Sequence, residues 1–362
     1  MSTTAEQVPS EVPAADRSAL LAPAPVQSGL DRRTVLRGLG IAVVILIVGL
    51  FVPDVISDET NMGIATDGVV LGILALSIGF LAHRSGLISL GHTAFYGASA
   101  YGLAIATTQW DWSPMQAIVF AVLGGTVLGL VIGAFVVRTP GVSFLVLTLA
   151  IGQALHQLVV QDSVRGTTGA YDGLAVTWGA DDKVAGLGQS EIGNAASFWP
   201  LAWVSLVVVL VILWLVGRSR FGRVLEAIRE NEERARFSGF NTYVPRLIAF
   251  TLSSAIASLA GALFALKASF VSPDTLSFVT AGDSLIAAIV GGFATLVGPL
   301  VGGVLYIYAQ SELSDSGNLQ LFTGIALVVA VVFLRGGVVG FVTDTGRKVR
   351  ARVATTRKGA GR

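Results

Sequence analysis

The sequence predicts an all-α protein, a polytopic membrane bundle of about ten transmembrane helices. Hydrophobic residues make up 53% of the 362 residues and charged residues only 13%, a composition typical of membrane-embedded chains. A helix needs about 20 largely apolar residues to cross a bilayer, and the chain holds several windows of this kind. The longest highly charged segment lies between two such windows. A soluble globular enzyme is therefore excluded as a class.

The N-terminal region predicts a tail followed by a retained anchor. Residues 1–30 are rich in Ala, Pro and Ser, which is typical of a disordered segment, and we expect this tail in the cytoplasm. Three arginines, Arg32, Arg33 and Arg37, precede the first apolar window. Basic residues stay on the cytoplasmic side of a span, and the arrangement does not match a cleaved signal peptide.

The remaining chain up to residue 342 is expected to form one transmembrane domain, 31–342, with four spans after the charged segment. The predicted spans lie at about 38–52, 63–82, 86–108, 115–137, 141–160, 199–216, 246–268, 279–297, 299–311 and 319–334. Glycine and proline make 86–108 and the pair around Gly298-Pro299 the least regular, so these segments allow broken or re-entrant helices.

The connecting segments predict the orientation. The connection 161–198 is acidic and should be periplasmic, and Trp199 and Trp203 at the next span are expected to be interfacial anchors. Four basic regions should then be cytoplasmic, since six spans precede the charged segment: the N-terminus, His83-Arg84 with Arg138, the loop 217–246, and the basic tail 343–362.

The charged loop 217–246 predicts a surface helix. Gly222 to Arg236 is rich in helix formers, and the pairs Glu230–Arg234 and Glu232–Arg236 stand four residues apart. Its apolar residues recur on roughly one face: Val224, Leu225, Ile228 and Ala235. Gly239 is a plausible stop. Such an amphipathic helix needs an apolar surface to lie on.

The third predicted span carries two kinds of residue at helical spacing. Gly91, Ala94, Ala98 and Gly102 form a small-residue stripe suited to close helix packing. His92, Tyr96 and Ser99 recur on an adjacent face, which should point into the bundle because polar groups in lipid stay unsatisfied. Two interpretations remain open: these side chains bond to neighbouring helices, or they line a path for a small molecule.

Several classes of site are absent from the sequence. There are no cysteines and only three scattered histidines, so no metal centre is expected. No phosphate-binding G-x-x-x-x-G-K-[ST] loop occurs, so this chain by itself does not hold ATP. The net charge of +1 gives no reason to expect a nucleic-acid partner, and no cofactor or enzymatic activity is expected. Lys267 and Asp283 stand near predicted span ends, and Asp283 is predicted to cap a helix N-terminus.

A series of motifs gives the chain a resemblance to a known family. In order they are Gly86-Leu-Ile-Ser-Leu-Gly-His92, Thr168-Gly169 with Asp172-Gly173-Leu174, Gly222-Arg223 through Asn231 to Gly239, Ser272-Pro273-Asp274, Gly291-Gly292 and Gly298-Pro299. Together they resemble the permease subunits of bacterial ATP-binding-cassette importers for branched-chain amino acids, and more the larger, LivM-type subunit. The chain departs from that pattern at Ala170, Ser258 and Ala294, where glycine is usual.

The resemblance implies a multi-pass inner-membrane subunit without enzymatic activity. Its charged loop would seat on a separate ATPase through Arg223, Glu226, Ala227, Ile228, Arg229, Glu230, Asn231 and Gly239. The implied partners are a second homologous permease, two cytoplasmic ATPase subunits and an extracytoplasmic substrate-binding protein. His92, Tyr96 and Ser99 become candidates for the translocation path. Urea or short amides stay open as an alternative substrate, and an ion-coupled secondary carrier as an alternative class.

Overall fold

The computed structural model describes residues 32–313 except 57 and 180, and in addition 321, 324–325 and 337–340. The predicted tails 1–30 and 343–362 and most of the predicted span 319–334 lie outside the described residues. The main helices, numbered in chain order, are α1 Arg32–Leu50, α2 Glu59–Ser85, α3 His92–Thr108, α4 Pro114–Val136, α5 Gly141–Val159, α6 Ala195–Arg218, α7 Arg220–Glu230, α8 Glu232–Phe237, α9 Tyr243–Ala268, α10 Phe278–Gly291 and α11 Gly298–Leu313.

Shorter elements connect these helices. Single helical turns are Val52–Val55, Arg165–Thr168 and Gln189–Ile192, and 3₁₀ turns are Asp162–Val164, Ala170–Asp172 and Pro273–Leu276. Two strands, β1 Leu174–Ala175 and β2 Phe270–Val271, pair antiparallel with Leu174 opposite Val271. This ribbon joins the 161–198 connection to the chain that follows α9, so both lie at the same end of the bundle.

The helical bundle matches the predicted fold class. Six helical segments are long and apolar enough to cross a membrane: Arg33–Val55, Glu59–Ser85, Pro114–Val136, Gly141–Val159, Ala195–Arg218 and Tyr243–Ala268. Helices α3, α10 and α11 are shorter, at 17, 14 and 16 residues. They are nevertheless helical parts of the bundle, because each packs against α2 or α9.

Two predicted spans are markedly shorter as helices in the structure. The segment 86–108 becomes helical only at His92, because Gly86 adopts a left-handed φ of 71° that ends α2, and the residues up to Gly91 are not helical. The predicted helix 279–297 ends at Gly291, since Gly292 has a φ of 97°. Glycine readily adopts such backbone angles, and the helix resumes at Gly298.

The core is centred on α2 and α9. Ile73 and Leu74 of α2 and Ala257 of α9 are fully buried. Glycines allow the backbones of neighbouring helices to come into close contact. A Cβ atom placed on Gly303 of α11 would lie 2.6 Å from the Cα atom of Gly72. Any side chain there would force α2 and α11 apart, which is the packing role expected of small residues in membrane helices.

Trp199 and Trp203, predicted to be interfacial anchors, pack against α1 in the structure. Trp199 is only 3% exposed, and its Nε1 donates a hydrogen bond of 2.7 Å to the carbonyl oxygen of Gly49. Trp203 Nε1 donates to the carbonyl of Ile45 at 3.2 Å, and the two indoles stack with centroids 5.3 Å apart. Both rings therefore hold α1 against α6, because Gly49 leaves room for them.

Candidate coupling surface and interior polar contacts

The charged loop forms two helices rather than the single helix predicted for Gly222 to Arg236. Ser219 begins α7, its side chain accepting from the Gly222 amide at 3.1 Å. Asn231 then adopts an extended conformation and begins α8, its Oδ1 accepting from the Arg234 amide at 2.8 Å. Asparagine satisfies the free amides of a first turn well, so a new helix starts where continuation was expected. Gly239, with a φ of 83°, lies just after α8 as predicted.

The apolar face of this segment is covered by the chain itself. Leu225 is fully buried, and Ile228 and Ala235 are 1% and 8% exposed. Leu225 belongs to the main hydrophobic core. The surface on which the amphipathic helix lies is therefore the end of this chain's own bundle. Ile228, which the resemblance places among the ATPase contacts, is almost fully covered by this chain, although it lines part of the groove described below.

Ion pairs and hydrogen bonds fix α7 and α8 to the spans. Arg84, near the end of α2, pairs with Glu226 at 3.6 Å, and Arg229 donates to the carbonyl oxygen of His83. Glu232 pairs with Arg246 of α9 at 2.6 Å and accepts from the Thr242 hydroxyl at 3.1 Å. The predicted partner of Glu232 was Arg236, within one helix; the tertiary partner Arg246 takes its place. Glu226 and Arg229 therefore anchor the segment to α2.

The outward side of the segment forms a groove of about 470 Å³. Its lining combines arginines, one carboxylate and small or apolar groups: Arg220, Arg223, Val224, Ala227, Ile228, Glu230, Asn231, Arg234, Ala235, Ser238 and Phe240. Phe237 and Phe240 beside it are 91% and 55% exposed. Large aromatic side chains exposed next to a concave polar surface are typical of an interaction site.

The described parts of the predicted cytoplasmic regions lie at one end of the bundle. His83 and Arg84 contact α7, as above, and the Arg138 guanidinium lies 5.0 Å from the ring centroid of Tyr243 at the start of α9. A Cβ atom on Gly38, near the start of α1, would lie 2.3 Å from the Trp214 ring near the end of α6. The 161–198 connection contacts the other end, where the Gln109 side chain donates to the carbonyl of Thr167 at 2.9 Å.

The three candidates for a path lie in the interior. His92 and Ser99 are each 1% exposed, and Tyr96 is 7% exposed. His92 Nε2 lies 2.6 Å from the Ser253 hydroxyl of α9, and the Ser99 hydroxyl donates to the Ser258 carbonyl at 2.7 Å. The predicted small-residue stripe includes Gly91, which immediately precedes α3 and where a Cβ atom would lie 2.6 Å from the carbonyl oxygen of Thr148.

Tyr96 belongs to the same interface between α3 and α9. Its ring packs against Phe264 with centroids 5.5 Å apart. A Cβ atom on Gly261 would lie 2.0 Å from the Tyr96 carbonyl oxygen, so the two backbones are in close contact. All three candidates therefore take part in packing between α3 and α9.

Two ionic or polar pairs were missed by sequence reasoning. Lys267, at the end of α9, pairs with Asp67 of α2 at 2.5 Å and donates to the Gly63 carbonyl at 3.0 Å. Asp283 bonds to the Tyr306 side chain across α10 and α11. The capping role predicted for Asp283 is wrong, because Ser277 caps α10. Lys267 and Asp283 stand alone in apolar sequence, which indicates that each needs a polar partner. The sequence did not show which residue that partner is, because it lies far away along the chain.

No group of three His, Cys, Asp or Glu suited to a metal ion occurs in the part of the chain that the structure describes.

Comparisons with known proteins agree with the motif resemblance. A family model described as branched-chain amino acid transport system / permease component matches residues 61–334. The high-affinity branched-chain amino acid transport system permease protein LivM of Escherichia coli K12 is 24% identical over 311 residues, covering 81% of this chain and 72% of the relative.

Other relatives are named for different transport systems. The inner membrane ABC transporter permease protein YjfF of Escherichia coli K12 is 26% identical, covering 78% of this chain and 86% of the relative. The autoinducer 2 import system permease protein LsrC of Salmonella paratyphi B is 29% identical over 156 residues, covering 41% and 45%. No solved structure matches the chain significantly. Since the family model covers most of the chain, this protein belongs to the family of branched-chain amino acid transport system permease components, and is a LivM-type, multi-pass protein of the inner membrane.

Proposed function

We propose that this permease carries branched-chain amino acids into the cytoplasm, driven by separate ATPase subunits. Members of its family are transport proteins of ATP-binding-cassette importers and are not enzymes; they work with ATPase and binding-protein partners. The substrate proposal is supported by the similarity to LivM over most of both chains. Energy must come from another chain, because no phosphate-binding loop occurs in the sequence.

The observation that carries this function is the exposed groove on an anchored segment. Arg223, Ala227, Glu230 and Asn231 line it, and all four are exposed. They are proposed to contact the ATPase, while Glu226 and Arg229 transmit the movement to α2 through Arg84 and His83. Helix surfaces of this kind suit docking into or around a partner helix. Gly239 lies just after α8, and its positive φ allows the chain to turn there.

The proposed path forms against a second, homologous permease. His92, Tyr96 and Ser99 are buried and packed inside one chain, so we infer that they support the helices that border the path. A substrate passing through the described bundle would have to break their contacts. Apolar side chains are exposed on the outer faces of α4 and α5, such as Phe135 and Val142 at 74% and 78% exposure. Lipid and a second subunit are proposed to cover this surface.

The test is uptake by a defined set of subunits. The chain is produced in cells lacking branched-chain uptake, with and without a second permease, two ATPases and a binding protein from its own source. We expect labelled leucine, isoleucine and valine to accumulate only when the full set is present and ATP is available. Uptake by this chain alone, dissipated by a protonophore, would show a secondary carrier instead. Uptake of urea in place of leucine by the full set would overturn the substrate proposal.

A further inference from the structure

A crevice runs between α1 and α6 on the side of the bundle facing the turn that joins α10 to α11. Its apolar section has a volume of about 170 Å³. The residues that line it carry no polar side chain except the indole of Trp214, and they include Ala42 of α1, Val211 of α6 and Leu296 of the turn. Since α1 and α6 are both long enough to span a membrane, this section opens towards hydrocarbon.

The crevice continues into a polar section towards the end of the helices. This section has a volume of about 220 Å³ and shares Trp214 and Leu296 with the apolar one. Its other lining residues are Gly79, Phe80, His83, Arg84, Leu213, Arg218, Thr295 and Pro299. Arg218 is the last residue of α6 and Arg84 the second-last of α2. The polar section therefore lies at the level where a membrane helix meets the headgroups.

The charge of the polar section is positive. The Arg218 guanidinium lies 4.9 Å from the ring centroid of Trp214, and no ion pair with an acidic residue is found for it among the described residues. Arg84 pairs with Glu226 at 3.6 Å, a distance too long for a tight hydrogen bond. Two guanidinium groups against one carboxylate leave an excess positive charge beside an apolar channel.

We propose that this crevice binds an anionic phospholipid, with an acyl chain between α1 and α6 and the phosphate at Arg218 and Arg84. Basic pockets between membrane helices at the cytoplasmic surface bind anionic headgroups, and a guanidinium group binds phosphate through two parallel hydrogen bonds. The shared residues Trp214 and Leu296 place the two sections where one amphipathic molecule reaches both. A free phosphate ion would use only the polar section.

The headgroup contact is tested with the purified full-length protein by native mass spectrometry. Phosphatidylglycerol and phosphatidylcholine with identical acyl chains are titrated against Arg218→Gln and against a control, Arg138→Gln. Both arginines are exposed, lie over an aromatic ring and end a span on the same side of the bundle, but Arg138 does not line the crevice.

Arg218→Gln should weaken phosphatidylglycerol binding about fivefold, the effect of one basic residue near an anionic lipid, while Arg138→Gln leaves it unchanged. Phosphatidylcholine should bind more weakly than phosphatidylglycerol to the unsubstituted protein. Equal affinities for the two lipids, or equal effects of the two substitutions, would overturn the headgroup assignment.

The acyl-chain contact needs a second pair of variants. Ala42 lines the apolar section, whereas its neighbour Val43 is 53% exposed and does not. Ala42→Trp should fill the section and reduce phosphatidylglycerol binding, and Val43→Trp should not, with thermal unfolding used to confirm that both proteins fold. Full displacement of the lipid by inorganic phosphate would contradict the proposal, because the acyl chain would then contribute nothing.

Discussion

At the scale of single residues, the interior is organised by hydroxyl groups that join three helices. Ser253 of α9 donates to the Ser77 carbonyl of α2 at 2.6 Å and lies 2.6 Å from His92 Nε2 of α3. A serine hydroxyl has one proton, so if Ser77 receives it, His92 must donate through Nε2. His92 Nδ1 then carries no proton and has no partner in the described structure. Ser253 is therefore the common contact of α2, α3 and α9.

Replacing Ser253 tests whether this contact stabilises the bundle. Ser253→Ala should lower stability by about 0.6–1.7 kcal/mol, from the average to the largest value that double-mutant cycles give for hydrogen bonds between membrane helices, because His92 loses its partner. Leucine uptake by the folded protein should persist. Thermal unfolding in detergent and uptake in liposomes measure the two effects.

Ser205→Ala is the matched control for this substitution. Ser205 donates only to the Leu201 carbonyl of its own helix, at 2.7 Å, so its loss should leave the melting temperature nearly unchanged. An altered leucine affinity in Ser253→Ala, with the melting temperature preserved, would instead assign His92 and its neighbours to the path.

At the scale of elements, α1 depends on glycines for its attachment. A Cβ atom on Gly49 would lie 1.8 Å from the Trp203 ring, whereas nothing lies within 4 Å of one on Gly40. Gly49→Leu should therefore separate α1 from α6 at a cost of about 1–3 kcal/mol, as overpacking does elsewhere. Gly40→Leu adds the same side chain on an open face and should be neutral. The unfolding temperatures of the two variants test this prediction. Equal values would show that Gly49 is not needed for the packing of α1 against α6.

In the charged loop 217–246, two adjacent residues differ in exposure, so substitutions at them should have different effects. Ala227 is exposed in the groove and Ile228 is 1% exposed. Ala227→Asp should leave the protein folded but weaken ATPase binding by about two orders of magnitude or more, because an unpaired charge would be buried in the interface. Ile228→Asp places the charge in this chain's own interior, so we expect loss of folded protein in the membrane.

Co-purification of the ATPase and the yield of folded protein distinguish these outcomes. The fold of Ala227→Asp is checked by its melting temperature without ATPase. If Ala227→Asp bound the ATPase normally, the groove would not be the docking surface.

At the scale of the whole molecule, the contacts group the described basic segments at one end and the 161–198 connection at the other. We predict that the first end is cytoplasmic, because basic residues collect there. The chain has no cysteine, so single cysteines at Asp181 and Asn231, both exposed, report without background. An impermeant thiol reagent should label the cysteine at position 181 in intact cells and the one at 231 only after lysis. The reverse pattern would invert the proposed orientation.

The membrane class, the helical fold and the positions of most long helices were predictable from local composition, because an apolar window of sufficient length has few alternatives to a helix in lipid. The family was predictable from the ordered series of motifs. Helices α4 and α5 begin and end within one residue of the predicted limits. The stop at Gly239 was also predictable, since glycine alone adopts its backbone angle without strain.

Two features could be seen only in the folded chain: what covers the apolar face of each helix, and which polar groups pair with one another. Periodicity identified an apolar face at Ile228 but not whether this chain or a partner covers it, because both satisfy the same pattern. The helix predicted for Gly222 to Arg236 is interrupted at Asn231, although helix propensity favours one continuous helix. The hydrogen bond by which Asn231 caps α8 and the ion pair of Glu232 with Arg246 favour the interruption instead. Trp203 packs against α1 because a distant glycine, Gly49, leaves space for its ring. Such contacts join residues far apart in the chain, and local pattern carries no information about them.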